Sequence, residues 1–203
     1  MIIERLPRPL RALLPDGLFR IPDAGKTVFL TFDDGPIPEA TPEILDILDR
    51  YGIKATFFMV GDNVRKYPEI ARMVMERGHN VGNHTMHHVK AMLMNPDEYL
   101  AEVLDSHNPQ TKLFRPPHGW ISRRQWTLLK RHGFRLIFYD LVTRDYSRHV
   151  DARRVVRNVM RYSRPGSIIV FHDSLKSIDK LRTALPESIE WLLRQGYGFG
   201  LLK

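Results

Sequence analysis

The chain has 203 residues, no Cys, and a formal net charge of +8, from 31 Lys and Arg against 23 Asp and Glu. With 43% hydrophobic and 27% charged residues, it has the composition of a globular domain and not of a disordered chain. The absence of Cys excludes a disulfide framework, a thiolate zinc site and a Cys nucleophile. The basic residues are scattered, with the densest groups only Arg123-Arg124 and Arg153-Arg154. That distribution reads as a solvated basic surface, and no nucleic-acid partner is expected.

Glu4, Arg5, Pro7, Arg8, Pro9 and Arg11 interrupt any apolar run near the N-terminus. A signal peptide needs about 7–15 apolar residues behind a basic start. No stretch approaches the roughly 20 apolar residues of a membrane span. The chain is therefore expected to be soluble and cytoplasmic, with export by another route left open.

Residues 1–25 hold Pro7, Pro9, Pro15 and Pro22 and read as an irregular lead-in to one domain over 26–203. Thr27 to Phe32 is a β-rich run. Pro42 to Tyr51 is helical, with Thr41 as a cap, Ile44, Leu45 and Leu48 on one face, and Gly52 as the stop. Ala55 to Val60 is a second strand, Tyr67 to Arg77 a helix, and Asn80 to Asn83 a third strand. A helix over Pro96–Leu104 is capped by Asn95 and followed by a short strand, Leu113-Phe114. Ser122 to His132 is a helix and Phe134 to Leu141 a strand. A helix over Asp151–Tyr162 precedes a strand over Ser167–Phe171. The last helix spans Ile178–Arg194, with a break expected near Pro186, and Tyr197 to Leu202 is a terminal strand. About seven strands thus alternate with helices, which implies parallel strands and right-handed crossovers. A barrel and an open doubly wound sheet both fit this α/β pattern.

Polar residues gather just after the strands: Asp33-Asp34, His84 and His88, Arg115, Asp145, then His172-Asp173. In parallel α/β folds, sites form at those strand ends. Adjacent side chains on an extended backbone point to opposite sides, so Asp33 and Asp34 can serve two roles. On a helical turn, His84 and His88 would share a face, and with Asp34 they make a two-His, one-carboxylate metal set. That donor set suits Zn(II), and also Co(II), Ni(II) or Fe(II). His172 closes an apolar strand and suits a proton donor, since its side chain titrates near neutral pH. Arg115, before the stiff Pro116-Pro117, would pair with one of the aspartates.

Thr31-Phe32-Asp33-Asp34-Gly35-Pro36, His84-Thr85-Met86-His87-His88, Arg115-Pro116-Pro117-His118-Gly119 and Val170-Phe171-His172 occur in that order. Together they resemble the motifs of the polysaccharide deacetylase family, the carbohydrate esterases with a NodB-homology domain. The resemblance covers roughly residues 26–202. It implies a distorted (β/α) barrel of about seven parallel strands and hydrolysis of N-acetyl groups on sugars with one divalent metal. It implies Asp33 as general base, His172 as general acid, and Asp34, His84 and His88 as metal ligands. By the same resemblance, Arg115 holds the base, Asp145 orients His172, and Thr85 supports the metal motif. The backbone N–H of His118 would serve the oxyanion, with Tyr146 and Trp120 beside the substrate. The chain departs from the family where His118 replaces a Tyr. It departs again in Val142-Thr143-Arg144-Asp145-Tyr146, where Val142 replaces an Asp and Tyr146 a Trp.

Three functions remain in view. The leading one is deacetylation of an acetylated amino sugar or polysaccharide. The second keeps the site and moves the substrate to another non-peptide C–N bond, as in a deformylase or small-molecule amidase. The third, a binding module without activity, is opposed by the intact set Asp33, Asp34, His84, His88 and His172.

Overall fold

The computed structural model describes residues 4–5, 11, 17–106 and 111–203. Strands β1 (Thr27–Asp33), β2 (Thr56–Met59), β3 (Asn80–Asn83), β4 (Leu113–Phe114), β5 (Arg135–Leu136), β6 (Leu141–Val142), β7 (Ile168–His172) and β8 (Gly198–Phe199) are all paired in parallel. Their order is β5-β4-β3-β2-β1-β7-β6, with β8 also on β1. The helices are α1 (Thr41–Arg50), α2 (Gly61–Lys66), α3 (Pro68–Glu76), α4 (Pro96–Leu104), α5 (Arg123–Arg131), α6 (Ala152–Tyr162) and α7 (Ile178–Arg194).

Strand alternation sorts the side chains. Val28, Leu30 and Phe32 of β1, Phe57 and Met59 of β2, and Ile169 and Phe171 of β7 join the helices in the largest apolar cluster. Their neighbours Phe29, Phe58 and Ile168 turn to the other face, where they meet Leu113, Ile137 and Leu202. The barrel interior is therefore apolar at its base. At the C-terminal strand ends it becomes polar, with Thr31, Asp33, His84 and Arg115 all buried.

The curled barrel of parallel strands agrees with the expectation, except that the strand expected over 134–141 is split in two, which makes the strands eight and not seven. Its start pairs with β4 and its end with β7, so this single segment closes the ring. Between the two halves the carbonyls of Ile137 and Phe138 accept from the Arg115 side chain and not from a neighbouring strand. Residues 17–21, inside the segment read as a lead-in, line this junction. Leu18 bridges to Ile137 and Arg20 to Ser167. Buried Asp140 takes hydrogen bonds from Arg11, Arg164 and Ser167, which draw its carboxyl below the usual range despite burial.

Three helix details also differ from expectation. Thr41 does not cap α1: its hydroxyl accepts from the Ile37 N–H and donates to Asp173. α2 has no sequence signal, because Val64 and Gly61 are its only buried residues and leave no apolar stripe. α7 runs through Pro186 without a break, held by its buried face of Leu181, Leu185, Ile189 and Leu192.

Gly82 on β3 is set by packing. It is the register partner of Phe58, and a Cβ there would lie 2.4 Å from the Phe58 ring. Gly82→Ala should cost about 2 kcal/mol by forcing that ring to shift in a full interior. Urea denaturation reads this directly, and an unchanged midpoint would show that the ring can yield.

Candidate active site

Sheet register brings the site together. Asp33 on β1 and His172 on β7 are direct partners across the sheet, and the Arg115 N–H donates to the carbonyl of Asn83, the residue before His84. The residues named from the sequence thus meet at one end of the barrel. The loops there carry backbone strain. Asp34, Thr85, His88, His118 and Arg144 have positive φ, leaving Asp23 as the only other described non-glycine residue that does. Thr85, β-branched at φ 64°, is a costly case. It is held by its N–H on Asn83 Oδ1 and by its carbonyl on the Gly61 N–H.

Arg115 is the best-satisfied polar group of the site. Its guanidinium lies 4.1 Å from the centre of the Phe58 ring. It donates to Asp33 Oδ1 at 2.6 Å, Thr31 Oγ1 at 2.8 Å and the two carbonyls of the split strand. Asp33 is 5% exposed and Arg115 3%, so their ion pair is almost dry.

Asp34 turns the other way, as adjacent side chains should. Its Oδ1 stands 3.3 Å from His88 Nε2 and 3.8 Å from His84 Nε2. All three donor atoms fall within 4.8 Å of one another. The His84 Nδ1–H donates to the Arg115 carbonyl at 2.8 Å, which leaves Nε2 unprotonated and facing Asp34. Burial lowers the His84 pKa to about 4, so the ring is neutral as a metal ligand must be. Burial pushes the Asp34 carboxyl up, but the hydrogen bond from His88 and the nearby imidazoles hold it well below the usual range. The donor set therefore fits a divalent cation. The two imidazoles do not meet on a helical turn, as the spacing suggested. A loop with positive φ at Thr85 and His88 folds them to 5.1 Å between ring centres.

The other histidines lie elsewhere. His87 is exposed and bonds Glu102 through Nδ1, and buried His79 accepts the Ala55 N–H. His107, expected not to be a ligand, lies outside the described residues.

His172 Nδ1 meets Asp145 Oδ1 at 2.8 Å, and the His172 backbone N–H donates to the other Asp145 oxygen. Burial disfavours the imidazolium, but Asp145, then Asp34 and Asp33, outweigh it and hold the pKa at about 9. The Tyr146 ring stands edge-on to His172 at 4.6 Å between ring centres. His118 lies in a turn over Pro117–Gly119, its ring 4.8 Å from that of His88, and Trp120 is 59% exposed at the rim.

Asp173, one of the polar residues at the strand ends but given no role from the sequence, fixes the loop that carries both aspartates. Its Oδ1 accepts the Gly35 N–H at 3.0 Å and its Oδ2 the Thr41 hydroxyl at 2.7 Å. Burial pushes its carboxyl up to about 8. A Cβ at Gly35 would lie 1.8 Å from Asp173 Oδ2, so the Gly after the paired aspartates was the available signal. Asn63, on the unforeseen α2, adds a bond to the Asp34 carbonyl.

A family profile described as "Polysaccharide deacetylase" matches residues 20–137. The chain is 31% identical over 189 residues to a peptidoglycan-N-acetylglucosamine deacetylase of Bacillus cereus, covering 89% of this chain and 88% of that one. It is 36% identical over 157 residues to a chitooligosaccharide deacetylase of Bradyrhizobium, covering 73% and 71%. The crystal structure of the Bc1960 peptidoglycan N-acetylglucosamine deacetylase superposes with a TM-score of 0.87 at 33% identity, covering 92% of this chain and 91% of that one.

Asp173→Ala leaves a buried N–H and a buried hydroxyl without their acceptor, and should cost about 2 kcal/mol. Asp173→Asn, which retains an oxygen for Gly35, should cost less. Equal stabilities of the two variants in denaturant titration would remove the loop-fixing role.

Proposed function

The chain belongs to the polysaccharide deacetylase family, and we propose that it is a metal-dependent hydrolase that removes an N-acetyl group from an amino sugar of a glycan. The observation that carries this reading is the separation of the adjacent carboxylates. Asp33 sits on Arg115, while Asp34 converges with His84 and His88.

A divalent cation held by Asp34, His84 and His88 would supply Lewis acidity, polarising the acyl carbonyl and lowering the pKa of a nearby water. Asp33 acts as general base. One of its oxygens is occupied by Arg115, which orients the carboxylate and leaves the other oxygen for the proton of the attacking water. The backbone N–H of His118 is the donor assigned to the developing oxyanion. His172 acts as general acid: Asp145 fixes Nδ1, and Nε2 gives its proton to the departing nitrogen. Tyr146 and Trp120 are assigned to the substrate side of the cleft. No covalent enzyme intermediate is needed, in keeping with the absence of Cys.

The relatives named above act on peptidoglycan N-acetylglucosamine and on chitooligosaccharides, and both supply test substrates. Acetate should be released from chitooligosaccharides or peptidoglycan, cease with a chelator and return with Zn(II) or Co(II). Release of formate from N-formyl amides without acetate from either glycan would move the substrate to the second reading. His84→Ala and His88→Ala should each lose most bound metal, whereas His87→Ala should keep it. Metal analysis of the purified variants checks this.

The pH profile tests the acid. His172 must be protonated to act, so the rate should fall as pH rises through about 9. Asp145→Asn removes the charge that supports imidazolium, and burial then lowers the pKa. The alkaline limb should move to lower pH by about one unit or more. A limb that stays in place would contradict the tuning role of Asp145.

A further inference from the structure

The four most exposed large apolar side chains among the described residues are Leu93 at 80%, Met92 at 78%, Leu175 at 62% and Trp120 at 59%. All four stand in loops that follow the C-terminal ends of strands: Met92 and Leu93 after β3, Trp120 after β4, and Leu175 after β7. That is the end of the barrel where Asp34, His84, His88 and His172 lie. Three strand-end loops of an ordinary soluble face would carry polar residues instead.

Cations flank each of them. Lys90 precedes Met92, Arg123 and Arg124 follow Trp120, and Lys176 follows Leu175, all exposed. None of these four is ion-paired with a carboxylate among the described residues. A cleft of about 580 Å³ extends from Arg123 and Arg124 to Arg131, with Asp97 as its one carboxylate.

The presentation of Met92 and Leu93 is built into the fold. Their helical turn, Ala91–Leu93, is anchored by buried Ala91, which belongs to the same apolar cluster as Ile121 and Trp126. Buried Gln125 donates its side-chain amide to the carbonyls of Ala91 and Met94, on either side of the two exposed residues. The loop is thus held in a shape that turns two apolar side chains to the outside.

We propose that the site-bearing end of the barrel docks on the surface of an anionic phospholipid bilayer. Met92, Leu93 and Leu175 enter the boundary between headgroups and acyl chains, Trp120 stands between them and the catalytic groups, and Lys90, Arg123, Arg124 and Lys176 meet the headgroup phosphates. No helix among the described residues is long and apolar enough to cross a membrane, so the association is peripheral. A glycan strand fits this rim less well. Sugars are bound by ring faces and hydrogen-bonding groups; Trp120 offers a ring face, but Met92, Leu93 and Leu175, the other three apolar side chains, offer neither. Docking would set the strand ends that carry Asp33, Asp34 and His172 toward a substrate displayed at the membrane surface.

Vesicle co-sedimentation of the full chain tests the proposal without reference to turnover, so its outcome is separate from that of the deacetylase reading. The protein should bind vesicles of phosphatidylcholine mixed with phosphatidylglycerol about tenfold or more above phosphatidylcholine alone. Met92→Ser/Leu93→Ser/Leu175→Ser, with an unchanged thermal midpoint, should lose about tenfold of that binding at low salt. Arg123→Glu/Arg124→Glu should lose it as well. Three results would each overturn the proposal: no preference for the anionic vesicles; full binding by the triple Ser variant, which means adsorption through net charge; or a triple Ser variant weakened on chitooligosaccharides but not on vesicles.

Discussion

The buried guanidinium of Arg115 constrains everything around it. A charge at 3% exposure is tolerated only if its donors are met, since an unpaired buried ion costs several kcal/mol. Asp33 supplies the opposite charge, and Thr31 and the carbonyls of Ile137 and Phe138 accept the other N–H groups. The guanidinium lies over the Phe58 ring, and Gly82 makes room for that ring. The carbonyl of Arg115 itself orients His84. One residue therefore ties the strand that closes the barrel to a carboxylate on β1 and to an imidazole after β3.

Two histidines of the site show how environment assigns protonation. His84 gives its Nδ1–H to a neutral carbonyl and is driven toward the uncharged form by burial. His172 gives its own to the Asp145 carboxylate, and the negative charge overrides a comparable burial. The neutral ring suits a metal ligand and the charged ring a proton donor. The adjacent aspartates divide by partner and not by protonation, one taken by Arg115 and the other facing the histidines. Pairs of like groups pushed to opposite states are the mark of acid–base sites.

Much of the site was legible because the motifs place polar residues just past apolar strands. Alternation of strand and helix gave the parallel α/β order, and Asn95 acts as the cap it was read to be. What escaped depends on partners far away in the chain. The split near Ile137 follows from Arg115, more than twenty residues earlier. The two histidines meet through left-handed backbone at Thr85 and His88, where the four-residue spacing suggested a helix. Asp173 shows its role only once Gly35 and Thr41 are found against it. The described residues 17–21 looked irregular because Leu18 and Arg20 pair with Ile137 and Ser167, far along the chain.

The central claim is the division of labour between Asp33 and Asp34. Asp33→Asn, prepared with Zn(II) and examined for bound metal and for acetate release from a chitooligosaccharide, tests it most directly. Wild-type metal content with turnover lowered by about a thousandfold is expected, because only the base is lost. Turnover near that of the wild type, or loss of the metal from this variant, would contradict it.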